Sequence, residues 1–174
     1  MESRLTVLAI GGNSLIRDNR RISLSDQYEA VRETATFISD LIEIGSRLVI
    51  THGNGPQVGF IYRRGELASH ELPLIPLEIC GADTQGAIGY MIEKALLNEF
   101  RRREIKKKVF AMVTMVVVDQ NDPSFSKPSK PIGAFMSKED ALVKKEEYGW
   151  TMIEDAGRGF RRVVASPIPK ELLK

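Results

Sequence analysis

Two short glycine-asparagine clusters are the residues of this sequence best suited to chemistry: Gly11-Gly12-Asn13 and Gly53-Asn54-Gly55. Each ends an aliphatic run, Leu5 to Ile10 in the first case and Leu48 to Thr51 in the second, and Pro56 follows the second cluster at once. Glycine lets a ligand approach the backbone and takes φ > 0 without strain, which is the expectation for Gly53 and Gly55. Pro56 suits the first turn of a helix, where a missing N–H costs nothing. A helix N-terminus offers unpaired N–H groups and a partial positive charge, so the ligand expected there is a small anion, phosphate or carboxylate. One glycine turn is an ordinary way to close a βα unit. Two on the same edge of a sheet converge several donors with no side chain in the way, and that pairing carries the anion reading. Asn13 and Asn54 either add an amide donor or hold the turns, and both roles stay open. His52, just before the second loop, either polarises a ligand oxygen or bonds the backbone at a strand end. Neither loop is a Walker P-loop, since no Gly-Lys-Ser/Thr follows, and neither has the spaced dinucleotide fingerprint.

Loops so placed need a βαβ unit behind them. Leu5 to Ile10 reads as a strand buried on both faces of a parallel sheet. Ser23 or Ser25 caps a helix whose apolar positions Tyr28, Val31, Ala35, Ile38 and Ile42 recur at helical spacing up to Gly45. The Leu48 to Thr51 strand follows, with a right-handed crossover. Glu78 to about Arg103 reads as a second long helix, in which Gly81, Gly86 and Gly89 permit close backbone approach. Val109 to Asp119 reads as a long buried strand, ended by an Asp119 with a loop-capping role. Asn121 to Phe135 carries three prolines and no period, an excursion that is neither strand nor helix. It bears Lys127 and Lys130, and its stiffness suits either a lid that brings a cation to an anion or a solvated surface loop. Ser137-Lys-Glu-Asp140 opens a helix to Tyr148, Trp150 to Glu154 and Arg162 to Ala165 read as strands around Gly157-Arg158-Gly159, and Ser166 to Lys174 reads as the first turn of another helix.

Composition bounds the rest. The chain has 174 residues, 43% hydrophobic and 28% charged, which suits one soluble globular domain. No apolar run reaches membrane-spanning length and Met1-Glu-Ser-Arg opens no signal peptide, so the expectation is a cytoplasmic protein without a membrane partner. A net charge of +2 gives no reason to expect nucleic acid. The basic run Arg101 to Lys108 reads as a solvated helix end. The lone Cys80 fits a reducing compartment and core packing better than nucleophilic chemistry.

Six ordered blocks then carry a specific resemblance: Gly11-Gly12-Asn13-Ser14-Leu15, Thr51 to Gly59, Cys80 to Tyr90, Val116 to Pro123, Lys130-Pro-Ile-Gly133 and Glu154 to Val164. In that order and spacing the chain resembles carbamate kinase, of the amino acid kinase family, over essentially its whole length. The resemblance implies an α/β fold, an αβα sandwich with a mainly parallel sheet, forming a single domain over 1–174 with 121–164 as a lid-like subdomain. It implies reversible phosphoryl transfer between ATP and carbamate, run in arginine catabolism to make ATP. Gly11, Gly12, Asn13, Gly53, Asn54 and Gly55 would hold carbamate or carbamoyl phosphate, Lys130 would be the catalytic cation, and Arg158 would be a structural or weak site residue. No metal ligand is expected in the chain. In the family, the nucleotide site lies in a C-terminal half that this sequence does not show. Mg-ATP or Mg-ADP is therefore expected for the complete enzyme and not for this chain alone. A cut-down chain, a shortened reading frame and a split enzyme with a separate C-terminal half all fit, as do a homodimer, an incomplete oxyanion-binding module and a dimerising fragment.

Overall fold

The structure is a computed structural model that describes residues 5–16 and 20–173; the side chain of Asn13 lies outside the described set. The chain folds as two compact units, one of residues 1–58 and 76–113, the other of residues 59–75 and 114–174.

The first unit is the expected βαβ. Strand β1 (Leu5–Ile10) leads through a 3-10 turn, Gly12–Leu15, to helix α1 (Leu24–Glu43) and strand β2 (Arg47–His52). The strands pair in parallel, from Leu5 opposite Arg47 to Ile10 opposite His52. Of the two candidate serines Ser23 is the cap, its hydroxyl accepting from the Asp26 N–H at 3.1 Å. Helix α2 (Gly55–Leu67) opens at the second glycine loop and runs on into the second unit, and α3 (Leu77–Arg102) returns to pack on α1. Val31, Ala35 and Ile38 of α1 and Ile88, Ile92, Leu96 and Phe100 of α3 form one buried cluster with Ile10, against which Leu8, Leu48 and Ile50 pack.

That cluster uses only one face of the strand pair. Leu5, Val7 and Val49, on the other face, are exposed, so β1 is not buried on both faces as its apolar run suggests. A continuous apolar run is the pattern of a strand covered on both faces, whereas within this unit α1 and α3 cover one face. Of the three helical glycines, Gly89 alone is crowded: a Cβ there would meet Ala111 Cβ at 2.8 Å, whereas Gly81 and Gly86 face open space. Arg103 departs from the solvated-helix-end reading. It lies against α1, donating to Asp40, Glu43 and the Thr36 carbonyl as well as to Glu99. Cys80 is fully buried, as core packing requires, and desolvation pushes its thiol up from the ordinary range.

The second unit holds β3 (Met115–Val118), the single turn α4 (Pro123–Ser126), β4 (Lys130–Met136), α5 (Lys138–Tyr148), β5 (Thr151–Glu154), β6 (Phe160–Val164) and β7 (Pro169–Leu173). Its pairings are antiparallel, β3 with β7 and the three-stranded order β4-β6-β5, so among the described residues parallel pairing is confined to β1 and β2. Three expectations change here. The long buried strand over Val109 to Asp119 shrinks to β3: the run passes from one unit to the other after Val113, and Phe110 and Met112 are exposed. The closing segment is strand β7 rather than a helix, because β3 supplies a backbone partner and Pro169, without an N–H, sits where the register slips at Val118. The proline-rich excursion contains both a helical turn and a strand. Asp122 caps α4 with Pro123 in its first turn, and β4 carries Pro131 on a sheet edge, where a lost donor is tolerated. Asp119 does cap its loop, accepting from the Asn121 N–H at 2.9 Å, and its other oxygen accepts from Lys170 of β7.

Candidate functional site

The parallel register of β1 and β2 ends both strands at the same level, so the two glycine loops emerge side by side. Their contact is backbone to backbone. The Gly53 N–H donates to the Ile10 carbonyl at 2.8 Å, extending the ladder one residue past the strands. A Cβ on Gly53 would stand 2.9 Å from Gly12 N, and one on Gly12 would stand 3.1 Å from both Asn54 N and Gly53 C. Neither Gly53 nor Gly55 takes a positive φ, so the expectation of left-handed backbone is corrected: Gly53 is required by the approach of the other loop. Gly11 and Gly55 are exposed with room for a side chain, Gly55 as the first residue of α2. Gly11 also closes the first loop, its carbonyl accepting from Ser14 N–H at 2.9 Å.

Asn54 has a definite job. Its Nδ2 donates to the Thr84 hydroxyl at 2.7 Å, and that hydroxyl donates in turn to the Gly81 carbonyl at 2.8 Å. Thr84 is buried, so α3 pins the second loop from behind. The Asn54 carbonyl accepts from Val58 N–H and starts α2. His52 is half-buried with its Nδ1 3.3 Å from the Gly53 carbonyl, the backbone contact considered as one of its two roles. Gln57, in the first turn of α2, is buried and bonded to Gln27 of α1. Sequence reading passed over Thr84 and Gln57. Their signal was positional, a polar residue inside an apolar helix face and a glutamine two residues past the loop, and it becomes legible only once α3 and α1 are known to back the loops.

The described residues thus bring together Gly11, Gly12, Gly53, Asn54 and Gly55 in the first unit, along with the backbone of Asn13. Lys130 and Arg158 belong to the second unit. Lys130 is the exposed first residue of β4, opposite Val164, with no ion pair among the described residues. Arg158 is tied down: it pairs with Asp155 at 2.9 Å and lies over the Phe135 ring. Arg158 and Arg161 together hold the Asp155 carboxyl below the usual carboxylate range. Between them, Gly159 has φ +117 and would place a Cβ 2.8 Å from the Met136 carbonyl oxygen, which accounts for the glycine in that block. Among the described residues no group of three or more His, Cys, Asp or Glu side chains could hold a metal ion, and no helix is long and apolar enough to cross a membrane.

A model of the amino acid kinase family matches residues 4–137. The chain belongs to the amino acid kinase family. Within it, the chain is 48% identical over 167 residues to a carbamate kinase of Thermococcus kodakarensis, covering 94% of this chain and 53% of that protein. It is 51% identical over 174 residues to a carbamate kinase-like protein of Escherichia coli, covering 98% and 54%. Among solved structures, one from Aeropyrum pernix superposes with TM-score 0.91 at 41% identity over 98% of this chain and 55% of that one. A carbamate kinase from Giardia lamblia bound to AMP-PNP gives 0.86 at 36% identity, over 99% and 55%. The chain therefore has the α/β amino acid kinase fold and spans about half the length of the curated relatives it matches.

Proposed function

We propose that this chain supplies the carbamate- and phosphoryl-binding half of a carbamate kinase-type phosphotransferase, which interconverts ATP and carbamate with ADP and carbamoyl phosphate. The observation that carries the reading is the pair of glycine loops locked together at the ends of β1 and β2, with Gly53 and Gly12 in backbone contact. The carbamate kinases among its relatives direct it to carbamate. In phosphoryl transfer the protein contributes mainly position and charge neutralisation. Loop N–H groups hold the acceptor and the moving phosphoryl group with no side chain between. The bond from the γ-phosphorus to the bridging oxygen of ATP breaks as one forms to a carbamate oxygen, and ADP leaves.

Residues 121–164 act as a lid-like subdomain, and Lys130 is its catalytic cation, neutralising charge on the transferred group. Mg-ATP or Mg-ADP binds the complete enzyme and not this chain alone, so turnover needs a C-terminal half of the family type, whether continuous or separate. A homodimer through α3 is a further proposed partner. The reaction is placed in the cytoplasm, making ATP in arginine breakdown. A coupled assay tests this: carbamoyl phosphate and ADP with the purified chain yield no ATP, and added family C-terminal half restores it. Vigorous turnover by the chain alone overturns the division of labour; no turnover with the added half overturns the kinase reading.

A further inference from the structure

Beside the glycine loops lies a buried amide relay whose polarity can be worked out from one end. Gln27 and Gln57 are 2% and 7% exposed. The Ile22 carbonyl can only accept, so Gln27 must turn its Nε2 to it, at 3.0 Å. The Gln27 Oε1 then accepts from Gln57 Nε2 at 3.1 Å. Both amides are thereby fixed, and Gln57 is left with a buried Oε1 that accepts from no described group. Such an acceptor is costly unless something donates to it. Gln57 is the third residue of α2, and helical side chains lean back over the turn before them, here the Asn54-Gly55 end of the second loop. Asn54 does not satisfy it: its Nδ2 donates to Thr84, and among the described residues no bond runs from it to Gln57.

An anion cradle has no use for an acceptor, which repels the oxygens that the loop N–H groups attract. It is useful for the one part of a carbamoyl group that donates, the amino nitrogen. Resting on the function proposed above, we propose that Gln57 Oε1 accepts a hydrogen bond from the amino group of the carbamoyl ligand and sets specificity for the carbamoyl group over other acyl groups. Acetyl phosphate replaces the amino group by a methyl of similar size and leaves the buried acceptor facing carbon. A site built to accept a hydrogen bond discriminates against the analogue that lacks the donor.

Calorimetric titration of this chain with carbamoyl phosphate, acetyl phosphate and inorganic phosphate tests the assignment. The wild-type chain should bind carbamoyl phosphate about tenfold more tightly than acetyl phosphate, the value of one satisfied buried hydrogen bond. In Gln57→Met that ratio should fall to about one. Equal affinities in the wild type, or a ratio that survives in Gln57→Met, overturn the role of Gln57; inorganic phosphate binding to the same wild-type chain would leave the cradle standing. Failure of all three ligands to bind the wild type overturns the cradle and this assignment with it. Equal wild-type affinities overturn the assignment even if far-UV circular dichroism shows the variant unfolded.

Discussion

Replacing Gly53 by alanine tests the loop contact directly. The added Cβ would lie 2.9 Å from Gly12 N and 3.6 Å from Gly12 Cα, and these are backbone atoms that cannot swing aside. The loop cannot retreat freely either, because Gly53 N–H is bonded to the Ile10 carbonyl at 2.8 Å and Asn54 is pinned to Thr84. Relief requires a shift of several tenths of an ångström at the strand ends, an overpacking cost of about 1–3 kcal/mol. Gly55→Ala is the control on the same loop. Nothing lies within 4 Å of its Cβ, its φ is not positive, and it sits in a helix, so the unfolded chain loses more entropy than the folded one and stability should rise by about 0.4–1 kcal/mol. Urea unfolding read by far-UV circular dichroism is the assay, since the sole tryptophan, Trp150, belongs to the other unit. The two variants should move in opposite directions. Gly53→Ala as stable as wild type would refute the close approach, and with it the argument that glycine is needed there.

Other outcomes follow from single contacts. Thr84→Val removes the acceptor of Asn54 Nδ2 and should cost about 1–3 kcal/mol in the same unfolding assay, with weaker phosphate binding as the loop loosens. Arg102 and Arg103 hold Glu99 well below its ordinary value, to about 2. A depressed carboxylate stabilises the fold above its unfolded value and loses that contribution as pH falls, so stability should decline between about pH 4.5 and 2, and Glu99→Gln should flatten that part of the profile. Lys130→Met should leave the thermal midpoint within about 2 °C of wild type, the lysine being exposed and without an ion pair among the described residues, while lowering turnover of the reconstituted enzyme by about 10²-fold or more.

Much of this was legible in the sequence because the signals were local. The Leu5 and Leu48 runs, the Ser23 cap and the glycine joints specify a βαβ whose loops must meet, and Ser137 announces α5. What was not legible depends on partners distant in the chain. Val109 to Val118 is apolar enough for a long strand, yet its extent is set by where β7 pairs, and the final segment becomes a strand only because β3 is there to bond it. Pro131 argued against a strand until β4 proved to be a sheet edge. At the site, the glycines were read for φ, and only the facing loop shows that Gly53 is there for contact. Gln57 drew no reading from the sequence, because its orientation is fixed only by Gln27 and Ile22, about thirty residues away in the chain.

The central claim is that the paired glycine loops bind the group to be transferred. Amide chemical-shift mapping of the nitrogen-15-labelled chain during titration with carbamoyl phosphate tests it most directly. The account predicts saturable shifts concentrated at the N–H groups of Gly11, Gly12, Gly53, Asn54 and Gly55. Saturable shifts elsewhere with these five unmoved, or no shifts at millimolar ligand, would contradict it.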